Sequence, residues 1–234
     1  MSFKIAIALL LPFIFLTASF NNPMQKPKII YVFDPMCGWC FGFSKVIEDL
    51  EKNYKSEFEF EIISGGMVIG DREGPIGDFA DYILGVYKRL EETCSVSFGQ
   101  PYLNQLKSKN LWSGSTKPTI AIEAFKLFEP DKAIAFAKLV QHAYFVDGKD
   151  LRDENVYVEI ASNFNVNKQE YIKALNSEDM RKAANDGFQL SANFGVTSYP
   201  CVILVWKEKY YMVAKGYTPY NNLVETVNKV KNTY

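Results

Sequence analysis

The amino-acid sequence predicts an α/β protein in which a central mixed sheet is interrupted by a large all-helical insertion. Strand and helix patterns follow one another as β-α-β near the start of the chain and as α-β-β-α near its end. The long stretch between these two parts has helical patterns only. We therefore expect the two ends to build one sheet, formed by residues 27–74 and 187–234, with residues 75–186 as the insertion.

The first part of the sheet comes from a β-α-β unit. Residues 28–33, KIIYVF, are β-branched and aromatic, which is typical of a buried strand. The segment FGFSKVIEDLEKNY has apolar residues at helical spacing, and EFEFEII then alternates as a half-buried strand does. Gly65 and Gly66 end that strand in a turn. A helical crossover favours parallel pairing of the two strands.

The last part of the chain supplies the remaining strands. The run CVILV, which begins at Cys201, is continuously apolar and predicts an interior strand. KYYMVAKGY predicts a second strand, and TPYNNLVETVNKVKN predicts a closing amphipathic helix. Within the insertion, Asn167 and Glu170 have the spacing of a capping box and predict a helix start.

The first 20 residues differ from the rest of the chain. Lys4 precedes an apolar run from residue 5 to residue 16, and small residues follow it. This layout is typical of a secretory signal, and the run is shorter than the ~20 residues that span a bilayer. We expect residues 1–20 to be a signal peptide, and the protein to be periplasmic or otherwise extracytoplasmic. We expect no membrane contact unless the signal stays uncleaved as an anchor.

Composition narrows the classes of partner. The 48% apolar and 23% charged residues are ordinary for a soluble globular protein. The net charge is −1 and there is no long basic run, so we expect no nucleic-acid partner. Four cysteines in 234 residues are too few to build the fold from disulfides.

Two of the four cysteines, Cys37 and Cys40, stand in the segment DPMCGWCF. A metal site needs about four ligands, of which this pair supplies two, and His142 is the only histidine. A structural disulfide across two residues closes a very small loop and would stabilise the fold little. These arguments favour a redox pair over both alternatives. We expect no metal and no cofactor other than a redox-active Cys37–Cys40 disulfide.

The position of the pair suits thiol–disulfide exchange. The thiolate is the attacking species, and the N-terminus of a helix directs free N–H groups and the positive end of the dipole at it. We predict that Cys37 lies at such a helix start, with Cys40 one turn deeper. Cys37 can then attack a disulfide of another protein while Cys40 resolves the mixed disulfide.

A second signal lies far along the chain, in FGVTSYPCVIL. Pro200 stands directly before a predicted interior strand, where proline is tolerated at the first position or in a special turn. An X–Pro bond is the one peptide bond for which the cis form costs little. A cis-proline packed against the CxxC helix start would leave the backbone before it free to pair with a substrate peptide. An ordinary strand-initiating proline is the alternative.

YVFDPMCGWCFGF, NFGVTSYPCVIL and the order of elements resemble the DsbA-like branch of the thioredoxin superfamily, in particular predicted protein-disulfide isomerases and FrnE-like proteins. The resemblance covers residues 28–234. It implies a thioredoxin fold with a helical insertion and protein thiol–disulfide oxidoreductase or disulfide isomerase activity. It also implies Cys37 as the nucleophile, Cys40 as the resolving thiol and Pro200 as the cis-proline.

Two positions depart from well-known members of this branch. Trp39 stands where strong oxidants carry His, and Tyr199 stands where Val or Thr is common. We expect Gly38, Trp39 and Tyr199 to contact the substrate, with Trp39 and Tyr199 forming an aromatic rim. The expected partners are cysteine-containing protein substrates and a redox partner that re-oxidises or reduces the CxxC pair.

Several alternatives stay open at this point. Kappa-type glutathione transferases and chromene-carboxylate isomerases share this architecture, but they usually carry Ser at the position of Cys37 and lack the second cysteine. A peptide-binding module or chaperone without redox chemistry is an alternative of another class. The leftover Cys94 and Cys201 form a second disulfide or remain two separate thiols.

Overall fold

The computed structural model describes residues 26–233. Six strands lie at Lys28–Phe33 (β1), Glu59–Ser64 (β2), Gly74–Pro75 (β3), Trp112–Ser113 (β4), Cys201–Trp206 (β5) and Lys209–Lys215 (β6). Nine α-helices lie within the same residues, at Gly38–Tyr54 (α1), Phe79–Cys94 (α2), Gln100–Ser108 (α3), Thr116–Lys126 (α4), Ala133–Phe145 (α5), Glu154–Ser162 (α6), Lys168–Leu175 (α7), Glu178–Asn193 (α8) and Tyr220–Thr233 (α9). Short 3₁₀ turns occupy Gly70–Arg72 and Pro130–Lys132.

The main sheet has the strand order β2-β1-β5-β6. β1 pairs with β2 in parallel and with β5 in antiparallel, and β5 pairs with β6 in antiparallel. The sheet is therefore mixed, and the two ends of the chain build it together. The thioredoxin-type fold with a helical insertion, expected from the sequence, is confirmed.

The two faces of the sheet bury different side chains because strand residues alternate between faces. Ile29, Tyr31 and Phe33 of β1 belong to the main core, which continues through α1 and the insertion. Ile30 and Val32 belong to a smaller cluster on the opposite face. The main core thus joins the sheet and the insertion without interruption.

The insertion differs in two details from the sequence prediction. β3 and β4 form a small antiparallel pair inside a region predicted to be purely helical. The predicted boundary at residues 186 and 187 falls inside α8, which lies against both β2 and α4. The predicted start of α7 is confirmed, because the Asn167 side chain accepts hydrogen bonds from the amides of Gln169 and Glu170. The division into residues 27–74, 187–234 and 75–186 stays a prediction.

Two observations bear on whether the chain could be anchored in a membrane. Residues 1–20, the predicted signal peptide, lie outside the described residues. Among residues 26–233, no helix combines the length and the apolar character needed to cross a bilayer.

Helices α1 and α2 approach each other closely at Gly42. A Cβ atom added there would lie 2.6 Å from the Cys94 sulfur, closer than real Cβ contacts. We expect Gly42→Ala to lower the free energy of unfolding by about 1–3 kcal/mol through overpacking, although alanine favours a helix. Urea unfolding measures the change.

Two further variants control this prediction. Gly85 lies in the middle of α2, where an added Cβ meets no atom within 4 Å. We expect Gly85→Ala to stabilise the protein by about 0.5–1 kcal/mol. In a Cys94→Gly background, which removes both the sulfur and the Cβ atom that lies 2.7 Å from the added group, Gly42→Ala loses its clash and becomes neutral or stabilising. A Gly42→Ala variant as stable as the parent would contradict the close packing.

Candidate active site

The site forms where β1 ends and α1 begins. Cys37 is the N-cap residue of α1, and its sulfur accepts a hydrogen bond from the Cys40 amide at 3.3 Å. The Cys37 amide itself donates to the Asp34 carbonyl at 3.1 Å. The sulfur therefore lies at the positive end of the helix dipole, where a thiolate is stabilised. Cys37 is 6% exposed and Cys40 is completely buried.

Strand pairing brings a distant segment to Cys37. Cys201 of β5 pairs with Val32 of β1, so the residue pair just before β5 lies beside the end of β1. The Tyr199–Pro200 peptide bond is cis. The Cys37 thiol donates to the Tyr199 carbonyl at 3.7 Å across 162 residues of chain. The CxxC pair and the SYPC segment therefore form one site.

Beneath the cysteine loop, the Asp34 carboxylate is completely buried. It accepts hydrogen bonds from the Met36 amide at 2.9 Å, the Met67 amide at 2.7 Å and the Ser115 hydroxyl at 2.8 Å. Burial raises the pKa of Asp34 to about 6, and these hydrogen bonds oppose that rise. Asp34 is thus a titratable group in the middle of the site.

Cys40 lies on the inner side of α1. Burial raises the pKa of the Cys40 thiol well above its usual range, and the nearby Cys37 sulfur raises it further. The negative charge of Asp34 acts in the same direction, whereas the Asp34 backbone amide opposes it. Cys40 therefore holds its proton more strongly than an exposed cysteine does, as suits a thiol that reacts second.

The expected rim of Trp39 and Tyr199 around the site stays a prediction, and each of the two rings has a neighbour of its own. Trp39 is 39% exposed and its ring lies 6.4 Å from that of Tyr217, which follows β6. The Tyr199 ring lies over Gly65, and its hydroxyl donates to the Gly65 carbonyl at 2.8 Å. A Cβ atom at Gly65 would lie 2.0 Å from the Tyr199 ring, so glycine is required there. The partner of each aromatic ring comes from a loop that sequence spacing does not connect to it.

Of the two alternatives left open for Cys94 and Cys201, the structure has two separate thiols. Cys94 packs in the main core against Gly42, on the α1 side. Cys201 belongs to the cluster on the opposite face, with Val32. The sheet separates the two sulfurs, and both are free thiols. Burial raises the pKa of each of them to about 11. Cys37 and Cys40 are also unlinked in this structure.

Sequence reasoning missed several residues of the site. Ser115 is the N-cap residue of α4, and its hydroxyl donates to Asp34 and accepts from the Val68 amide. Gln141 of α5 donates to the Asp34 carbonyl at 3.2 Å. No local pattern marks these contacts, since each joins the insertion to the cysteine loop through the tertiary fold. Among residues 26–233, no group of three or more His, Cys, Asp and Glu side chains is arranged to hold a metal ion.

A β-α-β unit with a CxxC pair at its helix start, facing a cis-proline across a mixed sheet, defines a protein of the thioredoxin class. The thioredoxin family model matches residues 31–225, and the chain belongs to that family. The resemblance to DsbA-like proteins, drawn from the cysteine and proline motifs, is confirmed.

Solved structures share the fold at low sequence identity. A candidate protein disulfide isomerase from Nitrosomonas europaea superposes with a TM-score of 0.79 at 21% identity, covering 90% of this chain and 100% of its own. The cytosolic disulfide reductase DsbM from Pseudomonas aeruginosa superposes with a TM-score of 0.72 at 19% identity, covering 87% of this chain and 98% of its own.

A curated relative is named for a role other than disulfide exchange. The ClpXP adapter protein SpxH of Bacillus subtilis is 26% identical over 185 residues, which are 75% of this chain. This chain spans only 58% of the length of that relative.

The buried carboxyl makes stability depend on pH. Because the pKa of Asp34 rises from its ordinary 3.8 to about 6, folding favours its neutral form. Its contribution to stability is complete below the unfolded-state pKa and is lost as the pH rises towards 6. We expect the difference in unfolding free energy between wild type and Asp34→Asn to fall by about 3 kcal/mol across this interval.

Urea unfolding at a series of pH values measures this difference. Ser115→Ala is the matched control, because it removes a donor to the carboxylate and extends the decline to higher pH. A difference that does not change with pH would show that Asp34 titrates normally.

Proposed function

We propose that this protein is an exported thiol–disulfide oxidoreductase that exchanges disulfides with cysteine-containing proteins, as an oxidase or an isomerase. The observation that carries the proposal is the position of the Cys37 sulfur and its hydrogen bonds. The Cys37 sulfur lies at the N-terminus of α1, accepts the Cys40 amide hydrogen bond and faces the Tyr199 carbonyl. A thiolate there is stabilised, and its resolving partner lies one helical turn deeper.

The exchange follows from this arrangement. The Cys37 thiolate attacks a substrate disulfide, a Cys37–substrate bond forms, and the other substrate sulfur leaves as a thiolate. Cys40 then attacks Cys37, the intramolecular disulfide forms, and the second substrate sulfur leaves. The pair has given two electrons to the substrate disulfide. The same steps in reverse oxidise a substrate dithiol. A redox partner of the dithiol–disulfide class resets the pair in either direction.

The substrate segment would lie against Tyr199 and Trp39. The backbone before Pro200 offers a carbonyl to an extended peptide once the Cys37 thiol has reacted, and this resembles the addition of a strand. Gly38 follows Cys37, and a Cβ atom added there would lie 3.3 Å from the Leu90 side chain of α2. Trp39 is exposed beside Tyr217 and supplies an apolar surface.

Helix α2 extends the apolar surface away from the cysteines. Cβ atoms added at Gly38 and Gly42 would contact Leu90 and Cys94, so α2 runs alongside α1 in the same general direction. Leu90 lies beside the start of α1, and α2 begins ~16 Å of helix before Leu90. The first turns of α2 therefore extend past the start of α1. There Phe79 is 59% exposed and Tyr82 is 62% exposed. Such a surface suits an apolar stretch of an unfolded substrate.

Export is proposed from the first 20 residues alone, whose layout is typical of a secretory signal. Mass spectrometry of the mature N-terminus after cell fractionation tests it. A chain that starts at residue 1 in the cytoplasm would contradict export without affecting the proposed chemistry.

The curated relatives favour a second candidate, an adapter that binds other proteins, since SpxH is named as a ClpXP adapter protein. The two candidates differ in what Cys37 does. An adapter would keep its affinity in Cys37→Ser, whereas a redox enzyme would lose its turnover.

The first test replaces each cysteine of the pair by serine. We expect Cys40→Ser to accumulate a mixed disulfide with a cysteine-containing protein, because the resolving step is blocked, and Cys37→Ser to form none. Non-reducing electrophoresis and intact mass measure the adducts. Cys94→Ser and Cys201→Ser are the controls and are expected to exchange as the wild type does.

A glutathione series measures the same pair at equilibrium. Alkylation followed by mass spectrometry counts the free thiols at each ratio of reduced to oxidised glutathione. A Cys37–Cys40 pair that exchanges at no ratio would refute the oxidoreductase proposal.

The second test concerns the α2 surface. We expect Phe79→Ser/Tyr82→Ser to raise the KM for an unfolded protein substrate several-fold, because apolar contacts are lost, and to leave exchange with glutathione unchanged. Leu127→Ser is the matched control, since Leu127 is equally exposed (61%) at the far end of α4. Equal KM changes in both variants would contradict a specific substrate surface.

A further inference from the structure

Tyr31 carries a polar group that the packing around it does not need. It lies in β1 and is 2% exposed, and its ring packs against Phe33 at 5.4 Å and Phe43 at 5.8 Å. Its hydroxyl is buried and has no well-aligned hydrogen-bond partner within residues 26–233. A buried hydroxyl without a partner costs free energy, and phenylalanine would fill this space without that cost.

The Tyr31 phenol interacts with the Cys40 thiol, although the contact falls short of a hydrogen bond. Both side chains belong to the core that β1 and α1 share. A protonated thiol is a weak acceptor, whereas a hydrogen bond to an anion is about twice as strong as one between neutral groups. The contact therefore gains strength when Cys40 loses its proton.

We propose that the Tyr31 hydroxyl donates a hydrogen bond to the Cys40 thiolate during the resolving step. This inference rests on the proposed function and deepens it. Cys40 first loses its proton to solvent, and its thiolate then attacks the Cys37 sulfur of the mixed disulfide. The Cys37–Cys40 bond forms, the bond between Cys37 and the substrate breaks, and the substrate sulfur takes the electron pair. The phenolic proton stays on Tyr31 throughout.

The other titratable groups around Cys40 do not donate a hydrogen bond to its thiolate. Cys37 and the charged form of Asp34 both oppose a negative Cys40. Tyr199 also faces the pair, but its hydroxyl donates to a backbone carbonyl. Burial raises the pKa of Tyr31 well above its usual range, so the phenol remains a donor wherever the enzyme works. Tyr31 thus compensates in part for the burial of Cys40.

Tyr31→Phe tests the proposal in two measurements. In protein labelled with ¹³C at the cysteine Cβ atoms and carrying Cys37→Ser, NMR titration reports the pKa of Cys40 directly. We expect Tyr31→Phe to raise it by about one unit, because a hydrogen bond to the thiolate is lost. In the protein with both cysteines, we expect the mixed disulfide to resolve about tenfold more slowly, with the pH profile of this step moved to higher pH by the same amount.

Tyr171→Phe is the matched control, because Tyr171 is equally buried and its hydroxyl donates to the Ala121 carbonyl at 2.9 Å. We expect Tyr171→Phe to reduce stability without moving the Cys40 pKa, and Tyr31→Phe to keep or raise stability. Asp34→Asn identifies any step in the titration that belongs to the carboxyl group.

An unchanged Cys40 pKa in Tyr31→Phe would overturn the proposal, as would an equal change in Tyr171→Phe. Wild-type protein that exchanges no disulfides refutes the proposed function, yet a raised Cys40 pKa in Tyr31→Phe would still establish the hydrogen bond. The two failures are therefore distinguishable.

Discussion

The Asp34 carboxylate is completely buried, and segments that are remote in sequence converge on it. Amides from the cysteine loop and from the turn after β2 donate to it, as does Ser115 at the start of α4. An ionised group can be buried only where such donors replace its water shell. The carboxylate therefore fixes the cysteine loop against the sheet and the insertion at once, and the positions of Cys37 and Cys40 depend on it.

This arrangement gives the helical insertion a part in the chemistry of the sheet domain. Gln141 of α5 donates to the Asp34 carbonyl, and the same carbonyl accepts the Cys37 amide. A displacement of α4 or α5 would thus reach the sulfur through two hydrogen bonds. The main core, which runs from β1 through α1 into these helices, makes such a displacement costly.

What the sequence predicts well here is local. The buried strand, the CxxC helix start and the Asn167 cap each depend on residues a few positions apart, and all are present. The neighbours of the Trp39 and Tyr199 rings, Tyr217 and Gly65, are remote in sequence and are set by the tertiary fold. Ser115 has the right type and position for a cap, but its hydroxyl bonds the buried carboxylate instead.

The same distinction explains the remaining cysteines. An even count of cysteines in a chain expected to be exported left a Cys94–Cys201 link open, because sequence holds no information on which face of a sheet an inserted helix covers. The alternation in β5 places Cys201 on one face of the sheet. Cys94 packs on the other face, beside α1. Strand periodicity alone could have assigned Cys201 a face, but the position of Cys94 required the structure.

The placement of these two thiols has a consequence for the fidelity of electron transfer. In the proposed exchange, a mixed disulfide on Cys37 would be an activated bond that any nearby thiolate of the same chain could intercept. Cys94 and Cys201 are buried on opposite sides of the sheet, and a pKa of about 11 keeps both protonated at neutral pH. Neither thiol is therefore expected to intercept the mixed disulfide, and the proposed exchange leaves Cys40 as the cysteine that resolves it.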